Sequence, residues 1–400
     1  MTERLTSSAS TPLTPPKPEE DRLSWLRLFR SRGVGVHTFF RLMREHGNAA
    51  TVLAVLPELA AKAGVRDYRT ASIDETRAEW RASQKAGARL ICFGDDGYPE
   101  YLSRIDDPPP VFWAKGDMAH LARPMVALVG ARNASSLGER VARQLAQELG
   151  RAGYVTVSGL ARGIDAAVHE ASLRTGTVAV QAGGVDIAYP TENAALHGRI
   201  GEIGLLVSEQ PIGLQPQARH FPRRNRIISG LARALVVVEA AARSGSLITA
   251  KNALDQGRDV LAVPGHPYDA RASGCNMLIR DGATLVRSAA DILEALGEVS
   301  DTTSARSGST DTAAEAQRRP RAVPTEEPLP SGALADKAPP VSGLPARHAL
   351  ILARLGPTPL AEDQLIRDLN LPATQVAPAL LDLELDGRIT RHAGGLISLA

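Results

Sequence analysis

The 400-residue sequence predicts a doubly wound α/β domain, preceded by a helical module and followed by a small C-terminal domain. Three observations carry that expectation. Short apolar runs alternate with helical stretches from Arg123 onward, a proline-rich break spans 298–345, and apolar residues recur at helical spacing before residue 90. The runs are 126–129, 154–157, 177–180, 205–207, 234–238 and 260–263, with helices expected near 138–150, 164–174, 192–202, 225–232, 246–256 and 274–281. Strands apolar on both faces and separated by helices belong to a mostly parallel sheet covered on each side. Within 21–90, Leu23, Leu26 and Phe29 share a helical face, and Phe39, Phe40 and Met43 follow the turn Arg32-Gly33-Val34-Gly35. Further helices are expected over 48–63 and 74–86.

Composition narrows the setting. Hydrophobic residues make up 44% and charged residues 22%, which suits a globular chain with a sizeable core. Cys92 and Cys275 are too few for a disulfide framework or a zinc site, which fits a reducing compartment. Residues 1–20 are rich in Ser, Thr and Pro, lack the apolar centre of a secretory leader, and are expected to be disordered. No apolar run approaches the ~18 residues that a membrane span needs. A cytoplasmic protein is expected. The segment 298–345 holds seven prolines and no aromatic, Ile or Met, so it is expected to be a disordered linker leading to a domain over 346–400. Net charge is only +2, and Arg supplies 40 of the 46 basic residues. Arginine is therefore a chain-wide habit and marks no phosphate site by itself.

The ends of the expected strands carry more information. They read Gly130-Ala131-Arg132-Asn133, Ser158-Gly159-Leu160-Ala161-Arg162-Gly163, Ala182-Gly183-Gly184, Ala242-Arg243-Ser244-Gly245-Ser246 and Pro264-Gly265. Ligands bind beyond the carboxyl ends of parallel strands, where glycines allow close backbone approach and helix starts offer N–H groups to anions. Any α/β domain needs some glycines at such turns; five such loops on one edge, three of them with Arg, favour a phosphate-binding edge. The pattern G-x-G-x-x-G is missing after the first strand and no Walker loop occurs, so neither NAD nor ATP is expected, and no cofactor or metal. The segment Arg219-His220-Phe221-Pro222-Arg223-Arg224-Asn225-Arg226 places four arginines, a histidine and an aromatic before Ile227-Ile228. Single strands are held by cations along the backbone and aromatic faces under the bases. Pro222 is expected to keep Phe221 extended, with a helix starting near Asn225. The plainer alternative is a solvated helix start with Phe221 in the core.

These residues also resemble a family. Tyr98-Pro99, Asp106-Asp107-Pro108-Pro109-Pro110, Val129-Gly130-Ala131-Arg132 and Ser158-Gly159-x-Ala161-Arg162-Gly163-Ile164-Asp165 with His169 are similar to DNA-processing protein A (DprA). So are Tyr189-Pro190 with Asn193, Phe221 to Ile228, Ser244 to Ala250, and Val263-Pro264-Gly265 with Asn276. The match runs from about 98 to 287. It implies a Rossmann-like domain over 91–297, a homodimer formed through that domain, and binding of incoming single-stranded DNA during natural transformation. It further implies that the strand is protected and that the recombinase RecA is loaded onto it. The family's DNA surface transfers to Gly130, Arg132, Ser158, Gly159, Arg162, Phe221, Arg224, Asn225 and Arg226; the residue patterns add Gly163, Arg219, Arg223, Ser244, Gly245 and Ser246. Two departures stand out: Ala131 replaces a usual serine, and Gln181-Ala182-Gly183-Gly184 replaces a usual Leu-Gly pair. The module over 21–90 resembles a sterile-alpha-motif-like domain, and 346–400 a winged helix.

The third helix of that winged helix, about 373–386, contains Asp382, Glu384 and Asp386 and no basic residue. Phosphate binding needs positive charge at the contact, so a protein-contact or dimer-accessory role is favoured over duplex reading, and a transcription factor is disfavoured. Arg388, Arg391 and His392 on the wing are its basic group. A competing enzyme reading is a nucleoside-monophosphate phosphoribohydrolase of the lysine-decarboxylase-like group. Its glutamate after a Gly-Gly-x-Gly-Thr loop has no counterpart in Ser244 to Asn252. Asp165 and His169, one helical turn apart, are read as a helix-packing pair. No catalytic residue is expected.

Overall fold

The structure is a computed structural model that describes residues 14–297 and 344–399, except 356–358, 370 and 393–394. Residues 1–13 of the expected N-terminal disordered segment, and the linker expected at 298–345 up to residue 343, lie outside the described residues. The chain divides into two compact units, Met1–Ser307 and Gly308–Ala400.

In the first unit four helices come first: α1 (Glu19–Arg30), α2 (Val36–His46), α3 (Ala49–Lys62) and α4 (Ile73–Ala86). They are followed by β1 (Arg89–Cys92), the short α5 (Glu100–Ser103) and β2 (Val111–Gly116). Alternation then sets in with β3 (Met125–Gly130), α6 (Ser136–Arg151), β4 (Val155–Ser158), α7 (Ile164–Ser172), β5 (Thr177–Val180), α8 (Ala194–Ile203) and β6 (Leu205–Ser208). It continues with α9 (His220–Leu231), β7 (Ala234–Glu239), α10 (Gly245–Asp255), β8 (Asp259–Ala262), α11 (Ser273–Arg280), β9 (Thr284–Leu285) and α12 (Ala289–Ala295).

The nine strands run in the order β1-β2-β6-β5-β4-β3-β7-β8-β9. From β6 to β9 every pairing is parallel, while β1 and β2 form an antiparallel edge. The fold is therefore α/β and doubly wound about a mostly parallel sheet, as the sequence predicts. Side chains alternate across each strand: Ala127 and Val129 face the core under α9 and α10, whereas Val126 and Leu128 face the core under α6, α7 and α12. The helices α1 to α3 bury Trp25, Leu26, Phe39 and Leu42 against Leu90, Trp113 and Leu206 of the sheet, so module and sheet share a core.

One expectation fails. The helix containing Asn225 starts at His220, and Pro222 sits in its first turn with Phe221 already helical. A first-turn proline loses no intrahelical bond, because N–H groups there have no partner in any case. Burial of Ile227, Ile228 and Leu231 then outweighs the bias of Phe221 toward an extended backbone.

The second unit contains α13 (Leu344–Arg354), β10 (Leu360–Ala361), α14 (Glu362–Leu369), α15 (Ala373–Leu385), β11 (Ile389–His392) and β12 (Leu396–Leu399). Its antiparallel strands follow the order β10-β12-β11, and Ile351, Leu365, Val376, Leu380, Leu383, Ile389 and Ile397 form its core. This is a winged helix with α15 as third helix. Among the described residues no helix is long and apolar enough to cross a membrane.

A polar hook fastens the N-terminal helices to the sheet edge. The Glu79 carboxylate pairs with Arg30 at 2.9 Å and accepts the Trp113 indole N–H at 2.7 Å, while Arg30 donates to the Glu209 carbonyl at 3.0 Å. Replacing Glu79 by Ala leaves a cation and an indole N–H without their acceptor, which costs about 3 kcal/mol. The denaturant midpoint of Glu79→Ala should fall accordingly, with the slope of the transition unchanged.

Candidate nucleic-acid interface

Strand order reverses between β3 and β7, since the chain winds outward through β4, β5 and β6 on one side and through β8 and β9 on the other. The carboxyl ends at such a point open a crevice. Here it is a groove of about 930 Å³, lined by Gly130 to Asn133, Phe221, Pro222, Asn225, Arg243 to Ser246 and Arg271, among others. A register shift between Val129 and Gly130 sets Glu239 beside Gly130. The Glu239 carboxylate accepts the Ser135 backbone N–H at 2.9 Å and the Ser135 hydroxyl, at the start of α6. The seat where this fold commonly receives a ligand phosphate is thus filled by a protein anion.

The predicted site residues fall into two groups. Those of the first act as supports, in the groove wall (Gly130, Arg224) or behind it. Ser158 is buried and donates to the Leu128 carbonyl at 2.7 Å. Gly159 gives its N–H to Asp165 at 3.1 Å, and a Cβ there would stand 2.5 Å from the Arg224 guanidinium. Gly130 and Gly163 let the first two loops touch: a Cβ on Gly130 would meet Ile164 at 2.5 Å, and Gly163, at φ +73°, abuts the Ala131 carbonyl. Arg224, expected to face DNA, is 6% exposed, and its Nη1 donates to the Gly159 carbonyl at 2.7 Å and to that of Val180. Burial lowers its pKa to about 10, against the opposing pull of Asp165. Arg226 is likewise committed, to Asp107 at 3.0 Å and Glu209 at 2.6 Å. The reading of both as DNA-facing cations is corrected: their guanidiniums hold the protein together. The signal was present, because Arg224 stands three, four and seven residues before Ile227, Ile228 and Leu231, on the buried stripe of a helix that starts at His220.

The second group faces outward. Phe221 lies half-buried with the Arg132 guanidinium 5.2 Å from its ring centroid and the Tyr189 ring at 5.6 Å. Arg132, Arg223, Arg243 and Arg271 are exposed and have no carboxylate partner among the described residues. Arg162 is exposed and lies 3.5 Å from Glu192; Arg219 is exposed beside the His220 ring. Asn225 lines the groove. Ser244 caps α10 through the Ser246 N–H, with Gly245 exposed at that helix start. Tyr189, Arg243 and Arg271 were not among the predicted contacts. Tyr189 stands in a motif, but nothing in the sequence shows that it reaches Phe221, 32 residues on.

Asp165 and His169 belong to the supports. The Asp165 carboxylate accepts the Gly159 and Ala161 N–H groups, and burial raises its pKa. His169 is fully buried on Thr177 at 2.7 Å, and burial, with the Arg224 charge adding, lowers its pKa to about 3. In the second unit, the wing cation Arg391 is neutralised by Glu362 at 2.7 Å and Glu384 at 3.0 Å.

The family profile described as "DNA recombination-mediator protein A" matches residues 89–297. The chain belongs to that family. A "DprA-like N-terminal HHH domain" matches 19–82, within the helical module, and a "DprA winged helix domain" matches 335–395. The chain is 45% identical to DNA processing protein DprA of Bacillus subtilis over 220 residues, 54% of this chain and 74% of the relative. It is 35% identical to protein Smf of Synechocystis over 326 residues, 78% of this chain and 80% of the relative. The crystal structure of DNA processing protein A from Streptococcus pneumoniae aligns with a TM-score of 0.58 at 36% identity, covering 70% of this chain and 98% of that one.

Because Arg224 is a support, Arg224→Glu should unfold the domain. An acid there meets two carbonyl oxygens and Asp165, and breaking a buried charge arrangement costs about 3–5 kcal/mol. Thermal melting should show the loss without any DNA present, and Arg224→Lys should retain part of the stability.

Proposed function

We propose that the groove holds single-stranded DNA without reacting on it. The observation that carries this reading is the Phe221 ring, set between the Arg132 guanidinium and Tyr189 at the mouth of a groove rimmed by unpaired arginines. Cations take the phosphates and the aromatic face takes a base, which must be unpaired to stack. Arg132, Arg243 and Arg271, with the open start of α10 at Gly245, are the phosphate contacts. Asp165 and His169 are spent on holding the strand ends, which supports binding without catalysis. Membership in a family described as recombination mediators supports a role at the strand that recombination uses. On this reading the protein protects incoming strands in natural transformation and helps load RecA, as a cytoplasmic homodimer joined through its Rossmann-like domain.

Labelled oligonucleotides titrated across a salt series test the proposal. Affinity should favour single strands over duplex and fall with salt, by about 0.7 in log K per log unit of salt for each phosphate neutralised. Phe221→Ala should cost about 1–3 kcal/mol on single strands, and equal affinity for both DNA forms would sink the stacking role. Arg132→Ala should shallow the salt slope by about one contact.

The winged helix is proposed as a protein-contact or dimer-accessory element. Its Asp382 and Asp386 carry negative charge, and its Arg391 is already paired. A chain ending at residue 297 should keep single-strand affinity within about twofold, since a surface without net positive charge adds little to phosphate binding. A large loss of affinity would place DNA on the winged helix instead.

A further inference from the structure

The loop between β8 and α11 carries a feature that the groove does not use. Tyr268 is 94% exposed, more than any other exposed large hydrophobic side chain among the described residues. Among the described residues its one ring partner is His266, at 5.7 Å between centroids, and the His266 Nδ1 accepts the Tyr268 N–H at 3.3 Å. The loop is laced at its base. Asn276 exchanges two hydrogen bonds with Gly265, at 3.2 and 3.0 Å, and Ser273 accepts the Ala242 N–H at 3.0 Å while donating to the Ala270 carbonyl at 2.7 Å. The Gly274 N–H reaches the Ala240 carbonyl at 2.7 Å. The loop is thereby fastened to the turn that carries Arg243, and three residues beyond Tyr268 it delivers Arg271 to the groove wall.

A tyrosine ring held in water on a tethered loop leaves apolar surface unsatisfied, and Arg271, three residues on in the same loop and in the groove wall, has no carboxylate partner among the described residues. An aromatic face on the loop that also brings an unpaired arginine to the groove is suited to a nucleobase next to its phosphates. We propose that Tyr268 is a second base-stacking station, which carries a single strand past Arg271 and lengthens the bound segment beyond the Phe221 wall. The inference rests on the groove being a single-strand site.

The test is equilibrium binding of two labelled strands long enough to span both walls, one of oligothymidylate and one of the same length lacking bases. Tyr268→Ala should weaken oligothymidylate binding roughly 5- to 150-fold, the range of one lost base stack. Tyr268→Phe, which keeps the ring, should bind as the unaltered protein does. The strand without bases should bind the unaltered protein and Tyr268→Ala equally. The inference is overturned if Tyr268→Ala leaves oligothymidylate binding unchanged, or if it weakens both strands alike, which would mark a contact to backbone or a disturbed loop. If the unaltered protein binds neither strand, the groove assignment falls and this station with it. If Phe221→Ala weakens binding while Tyr268→Ala does not, only the second station falls.

Discussion

The groove depends on one buried cation. Arg224 leaves α9, crosses the carboxyl edge of the sheet and holds the Gly159 and Val180 carbonyls at the ends of β4 and β5. Taking a guanidinium out of water is costly, and the lowered pKa of Arg224 records that cost. What offsets it is geometric. A planar group with fixed donors can satisfy two carbonyls that lost their ladder partners where the strands stop. Asp165 contributes the opposite charge from the other side of the edge and closes the Gly159–Ala161 turn with its own acceptors. The glycine at 159 is required because the Arg224 guanidinium occupies the place of any side chain.

A second internal charge follows the same logic with the opposite sign. Glu239, brought to the start of α6 by a bulge in the β7 pairing, satisfies Ser135 and takes the place of an external anion. Asp165 serves the loop ahead of α7 in the same way. One helix start and one strand-end loop that could have cradled a phosphate are therefore answered from within, which agrees with a first loop lacking the dinucleotide glycine pattern. On the proposed reading, attraction for a polyanion is left to the exposed guanidiniums on the rim, which would grip backbone charge without reading any particular base or sugar.

Much of this was legible in the sequence, for identifiable reasons. The six central strands are apolar on both faces, so their runs stand out; β1 and β2 do not, because they form an antiparallel edge outside the βα alternation. The strand-end glycines lie on the edge of the sheet where the groove opens, and their reason there is loop packing against Ile164, Ala131 and Arg224. Phe221, Pro222, Arg224 and Asn225 of the segment 219–226 line the groove, yet in sequence its arginines all read as facing one way. Starting the helix at Asn225 hid the fact that Arg224 shares a stripe with Ile227, Ile228 and Leu231. Cations on one helix point to opposite fates according to a phase of 3.6 residues, so an error of five residues in the helix start reverses their roles. Contacts between distant segments, such as Tyr189 over Phe221, have no sequence signal at all.

The two committed arginines explain why the outward residues can act. Helix α9 is held by Arg224 at β4 and β5, by Arg226 at Asp107 and Glu209, and by Gln256, which donates to the Arg226 carbonyl at 3.0 Å. Arg30 of the N-terminal module reaches the Glu209 backbone, so the module braces the same corner. Phe221 stands in the first turn of a helix fixed at these points, with Arg132 and Tyr189 already against its ring. On the proposed reading, a stacking face ordered before the strand arrives loses little freedom on binding, and more of its contact energy appears as affinity. The buried half of the segment 219–226 thus sets the working position of the exposed half.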